Sequence, residues 1–136
     1  MSLPSFQVAT LKGDGIGIDV TDATLAVIDA AQSRIGGFTL DYNYISAGAG
    51  YFKETGKDIE TNGEESAGKA DAIFLGAIGL PSIRYQDGTE ISPHLRLRDK
   101  FQLYAGVRPV RAYPNAPQRL ADPRAKDIDM VILRES

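Results

Sequence analysis

The chain has 136 residues, 43% hydrophobic and 24% charged, enough for a domain with a real core. Its net charge of -3 and the lack of a basic run interleaved with aromatics argue against a nucleic-acid partner. No apolar stretch nears the roughly 18 residues of a membrane span, so no membrane partner is expected. Cysteine is absent, which removes disulfides and thiolate metal sites and fits a reducing cytoplasm.

Phe6 to Leu11 reads as a buried opening strand, broken by Gly13-Asp14-Gly15-Ile16-Gly17. From about Asp19 to Ser33, Val20, Ala23, Val27, Ala30 and Ala31 recur at helical spacing and predict an amphipathic helix with that stripe facing the core. Gly36-Gly37 ends it. Phe38 to Ile45 alternates and reads as a second strand. Ser46 to Lys69, polar and dotted with glycine, predicts two short helices, and Ala70 to Ile78 a third strand. This strand–helix–strand rhythm predicts an α/β fold with a largely parallel sheet flanked by helices.

A polar loop follows to Ile91. Ser92-Pro93 is a helix start, serine as cap and proline at the first helical position, and the helix runs from about His94 to Gln102. Leu103 to Val110 is expected to be extended, Tyr113 to Lys126 with its three prolines a loop, and Ile128 to Leu133 a final apolar strand. A chain stopping on such a strand reads as the first part of a longer protein.

Two segments are ligand candidates. Gly13 to Gly17 lies where dinucleotide folds place their phosphate loop, but its third glycine comes one residue early for G-x-G-x-x-G. A tight turn is the plainer reading. Asp41 has the distance from the loop of a ribose-binding acid. Gly76 to Pro81 follows a buried strand at the carboxyl edge of the sheet, where open α/β sheets bind ligands.

Three arginines carry the most information. Arg98 and Arg108 lie in L-R-L-R-D-K-F-Q-L-Y-A-G-V-R-P-V, and Arg134 ends the run I-D-M-V-I-L-R. Guanidinium forks match carboxylates in bidentate fashion, so three at element edges suit an anion with several carboxylates. Internal acids such as Asp99, Asp129 or Glu135 are the competing partners. Arg96 and Arg98 differ by about 200° on a helix, which leaves Arg96 and Arg111 as solvent residues.

The chain resembles the β-decarboxylating dehydrogenases, which act on 3-isopropylmalate, isocitrate, homoisocitrate, D-malate and tartrate. The resemblance rests on L-K-G-D-G-I-G-I-D-V at Leu11 to Val20, with Ile18 where proline is usual, and on A-D-A-I-F-L-G-A-I-G at Ala70 to Gly79. L-R-x(4)-L-Y-A-x-x-R-P at Leu97 to Pro109 is the most specific element, followed by D-I-D-x-V-I-x-R-E at Asp127 to Glu135. It implies an isocitrate/isopropylmalate dehydrogenase-like fold in an incomplete chain. Residues 1–100 would hold the first part of a cofactor-loop α/β domain, and 101–136 the opening of a second domain with the substrate-binding arginines.

The function implied is the N-terminal part of an oxidoreductase that oxidises and decarboxylates a 2-hydroxy di- or tricarboxylic acid. The cofactors would be NAD or NADP and Mg²⁺ or Mn²⁺, with metal ligands outside this chain. Arg98, Arg108 and Arg134 would hold the substrate carboxylates, and Leu80 and Pro81 would lie beside the nicotinamide. Isocitrate enzymes have a serine and an asparagine where this chain has Ser92 and His94, so these two are further substrate-binding candidates. A polar substituent, or none, fits better than isopropyl, although Leu95 keeps the apolar choice open. The resemblance further implies a cytoplasmic homodimer whose sites borrow residues from the neighbouring subunit. The 136-residue chain would be inactive by itself. A non-catalytic carboxylate-binding or assembly module on the same scaffold is the alternative.

Overall fold

The computed structural model describes residues 3–135. The chain divides into two compact units, Met1–Leu97 and Arg98–Ser136.

The first unit is a parallel three-stranded sheet with order β2-β1-β3. β1 (Ser5–Leu11) lies between β2 (Thr39–Tyr44) and β3 (Ala72–Leu75), with Val8 opposite both Tyr42 and Ala72. The carboxyl half of β1 is the core of this unit, with Ala9, Thr10 and Leu11 fully buried. β3 is shorter than the apolar run that encodes it. Gly76 N–H still donates to Leu11 O, but the next carbonyl, Ala77 O, accepts from Asp14 N–H at 2.7 Å and leaves the sheet.

α1 (Ile16–Ile35) begins three residues before the expected start at Asp19 and buries a different face. The inward residues are Gly17, Thr21 and Leu25, while Val20, Ala23, Val27, Ala30 and Ala31 are exposed. Close approach explains this. A Cβ on Gly17 would stand 2.4 Å from Ala77 O, and one on Gly76 would stand 2.6 Å from the Thr21 hydroxyl. Only small residues let the helix sit that near the sheet. Gly36, at φ 69°, ends α1 by donating to Gln32 O.

The expected pair of short helices follows as α2 (Ala49–Thr55) and α3 (Gly63–Lys69). The loop after β3 is ordered by Arg84, which pairs with Glu90 and donates to the Pro81 and Gly88 carbonyls. α4 (Pro93–Lys100) comes next, anchored by buried Pro93 and Leu97. Its last residues carry the chain into the second unit.

Within the second unit, Leu103 N–H donates to Arg98 O, and Gln102, at φ 52°, turns the chain out of the helix. This is the Schellman arrangement with glutamine in the usual glycine place. The sheet of this unit is an antiparallel pair, β4 (Ala105–Arg111) and β5 (Asp129–Glu135). The proline-rich connection holds one 3₁₀ turn, Pro123–Asp127, capped by the Asp122 side chain.

Candidate functional site

The carboxyl edge of the first unit's sheet opens into a cleft of about 650 Å³, lined among others by Lys12, Gly15, Ile18, Tyr44, Tyr51 and Leu80. This is the edge where open α/β sheets bind ligands. Leu80 also borders a smaller recess of about 160 Å³ with Pro81, Glu90 and Ile91. Lys12 Nζ bonds Asp22 at 2.6 Å and lies 5.4 Å from the centre of the Tyr44 ring. That bond raises its pKa above the ordinary lysine value.

The glycine loop beneath the cleft is not an open phosphate cradle. Its own Asp14 occupies the anion position. The Asp14 carboxylate, almost wholly buried, accepts from Ala49 N–H (2.8 Å), Gly50 N–H (2.7 Å) and Gly79 N–H (2.8 Å). It thus satisfies the start of α2 and ties it to the loop after β3. The glycines serve backbone proximity: a Cβ on Gly13 would fall 2.0 Å from Ala77 O. Asp41 does not serve a ribose site either. It sits in the amino half of β2, opposite Gln7, and accepts from Ser5 Oγ and Gln7 Nε2.

Arg96 is exposed, as expected, but it is not an idle surface charge. Its guanidinium donates to Asp58 at 2.7 and 3.2 Å and to Glu64. Tyr85 Oη donates to the same Asp58 oxygen at 2.7 Å and stacks edge-on against Phe52. Burial, and then the bond to Asp58, pushes the Tyr85 phenol up to about 12. Burial alone would raise Asp58, but hydrogen bonds from Arg96 and Tyr85 hold it below the ordinary carboxylate range. Asp58 and Glu64 in turn hold Arg96 above its usual value. Arg111 is the exposed surface residue expected, 3.7 Å from Asp129.

Of the five substrate-binding candidates, Ser92 and His94 fall in the first unit and the three arginines in the second. Ser92 precedes α4, but its hydroxyl donates backward to Glu90 O at 3.2 Å instead of capping the helix. His94 is half-buried on the first turn, and Arg98 is half-buried near the end of α4. Arg108 and Arg134 share one face of the β4–β5 pair. Gly106 pairs with Arg134 and Arg108 with Ile132, so the two arginines are diagonal neighbours. Such positions lie ~7–8 Å apart, within joint reach of one small ligand. Among the described residues, Arg98, Arg108 and Arg134 make no side-chain hydrogen bond or ion pair. Asp129, a candidate internal partner, faces Arg111 instead.

Among the described residues, no three Asp, Glu or His side chains are grouped so as to hold an ion. No helix among them is long and apolar enough to cross a membrane.

Parallel strands alternating with helices and glycine-mediated packing of helix on strand define an open α/β protein. The isocitrate/isopropylmalate dehydrogenase family model matches residues 7–136, and the chain belongs to that family. It is 38% identical over 135 residues to 3-isopropylmalate dehydrogenase of Thermobifida fusca (strain YX), covering 99% of this chain and 38% of that protein. Tartrate dehydrogenase/decarboxylase of Pseudomonas putida is 33% identical over 138 residues, covering 100% of this chain and 37% of that protein. The apo β-decarboxylating dehydrogenase of Thermococcus kodakarensis superposes with a TM-score of 0.68 at 30% identity, over 96% of this chain and 34% of that one. Isocitrate dehydrogenase of Methylococcus capsulatus gives 0.74 at 25% identity, over 96% and 34%. The chain therefore spans a little over a third of the length of these relatives.

Proposed function

We propose that the chain is the substrate-clamp portion of an oxidoreductase that oxidises and decarboxylates a 2-hydroxy di- or tricarboxylic acid, with NAD(P) and a divalent metal. Arg98, Arg108 and Arg134 bind its carboxylates. The observation that carries this reading is the diagonal pair Arg108 and Arg134, on one strand face and without an internal acid. At ~7.5 Å in water the two cations repel by roughly 0.5 kcal/mol. A dicarboxylate between them turns that repulsion into attraction, with each fork donating two bonds to one carboxylate.

The remaining candidates refine the choice of substrate. The Ser92 proton is directed at Glu90 O, which leaves the Ser92 lone pairs to accept from a ligand hydroxyl. That favours a tartrate-like acid, with its second hydroxyl, over a branched alkyl one, with His94 a second polar neighbour and exposed Leu95 the apolar one. Leu80 and Pro81 flank the cofactor, which supplies a hydride acceptor when bound, and Leu80 contributes an apolar wall that excludes water there. The cofactor's phosphates do not use the Gly13–Gly17 loop, where Asp14 N–H already donates to Ala77 O and Gly17 N–H to Asp14 O. The whole protein would act as a homodimer in the cytoplasm.

Calorimetry on the 136-residue chain tests the clamp directly, with D-malate, tartrate, isocitrate and 3-isopropylmalate as ligands and no metal added. Arg108→Ala and Arg134→Ala should each weaken binding about 10- to 100-fold, the worth of a charge-assisted pair. Indifference of the unaltered chain to all four acids, or unaltered affinity in both variants, rules the clamp out.

A further inference from the structure

Arg96 has no place in the clamp, yet it is the most heavily engaged arginine on α4. An eight-residue helix has little stability of its own, so tertiary contacts must set how it lies. Leu97 and Pro93 bury against the first unit's core and fix its depth. These two, one turn apart, fix which face of the helix points inward, but two contacts on a single line leave it some freedom to roll. A planar fork held by two oxygens of one carboxylate and by a second carboxylate removes that freedom.

The partners of that fork are themselves fixed. Asp58 is largely buried, its carbonyl accepts from Gly48 N–H at the start of α2, and its carboxylate also holds Tyr85. Glu64 lies on the first turn of α3. The guanidinium therefore joins α4 to the entrance of α2, to α3 and to the loop after β3 through one planar group. Arg98 follows Arg96 by two steps of ~100°, so it emerges on the opposite side of the helix. Holding Arg96 against Asp58 and Glu64 sets the direction in which Arg98 points.

We propose that Arg96 is a positioning residue whose fork to Asp58 and Glu64 locks the rotation of α4 and so presents Arg98 to an anionic substrate. The proposal rests on the reading of Arg98 as a carboxylate ligand, and the test separates the two.

Hydrogen exchange followed by NMR on the 136-residue chain reports on the helix itself, without any ligand. Arg96→Ala should lower the protection of the amides of residues 97–100 about tenfold or more, while the β1 amides keep theirs. Arg96→Lys keeps the charge but not the fork, and should recover only part of that protection. In parallel, the affinity for malate should fall about tenfold in Arg96→Ala and remain several-fold low in Arg96→Lys. Should Arg96→Ala unfold the unit, Glu64→Gln retains the Asp58 pair and should still lower α4 protection about two- to threefold. Unchanged α4 protection in Arg96→Ala, or full rescue by lysine, overturns the positioning role. If the unaltered chain binds no hydroxy acid, the clamp reading fails, while the exchange data still decide whether Arg96 locks the helix.

Discussion

Replacing Asp14 by alanine should be among the most damaging single changes in the first unit. The carboxylate accepts three backbone N–H groups at 2.7–2.8 Å from two segments far away in sequence. A hydrogen bond to a charged group contributes ~1.5–3 kcal/mol, and an orphaned buried donor costs ~1–3 kcal/mol. Ala49 N–H is buried, whereas the Gly50 and Gly79 amides are partly so and regain some water through the adjoining cleft. A net loss of about 3–5 kcal/mol follows, a large share of the ~5–15 kcal/mol that holds a domain folded. For a unit of this size, that is a fall in Tm of ~15–30 °C. Asp14→Asn keeps the shape but turns an amide toward one or two of the same donors, and should lose about 2 kcal/mol. Urea and thermal unfolding followed by circular dichroism would measure both variants. A loss under about 1 kcal/mol for Asp14→Ala would refute the view that this carboxylate ties α2 to the loop after β3.

Gly13→Ala places a Cβ 2.0 Å from Ala77 O at a φ of 76° and should cost roughly 3 kcal/mol or more. Gly36→Ala, at φ 69° with open space around it, should cost only about 1 kcal/mol; equal losses in the two would contradict the close packing of loop and strand. The raised Tyr85 phenol makes a signed prediction. Its contribution is complete below the ordinary tyrosine pKa of 10.0 and is lost as pH climbs through about 12. The urea midpoint should therefore fall more between pH ~9 and pH ~11.5 in the unaltered chain than in Tyr85→Phe, and identical slopes would count against the Asp58 contact.

Much of the fold was legible because its signals are local. The glycine breaks, the alternation of β2 and the Ser92-Pro93 start all depend on near neighbours, and the corresponding elements lie within a few residues of expectation. The buried face of α1 was misread for a physical reason. The most apolar stripe, Val20 to Ala31, is not the one that can approach the sheet closely, and Gly17 and Thr21 win that place because they are small. The roles of Asp14 and Arg96 were invisible for another reason. The donors to Asp14 lie 35, 36 and 65 residues away, and Arg96 meets Asp58 across 38. Neither separation leaves a periodic trace. Of the arginines, the sequence offered chemistry but not register; the pairing of Gly106 with Arg134 is what puts two of them on one face.

The middle position of β1 also bears on how the chain is made. Of the three strands in this sheet, the one made earliest is the one that needs a neighbour on each side, and Gln7 N–H donates to Asp71, 64 residues further on. At ~5–20 residues per second, several seconds of synthesis pass before its second edge is covered. During that interval an apolar segment with open backbone groups is available to any chaperone, or to another nascent copy. Slower translation before Ala72 would lengthen the exposure and raise the yield of aggregate without altering a single native contact.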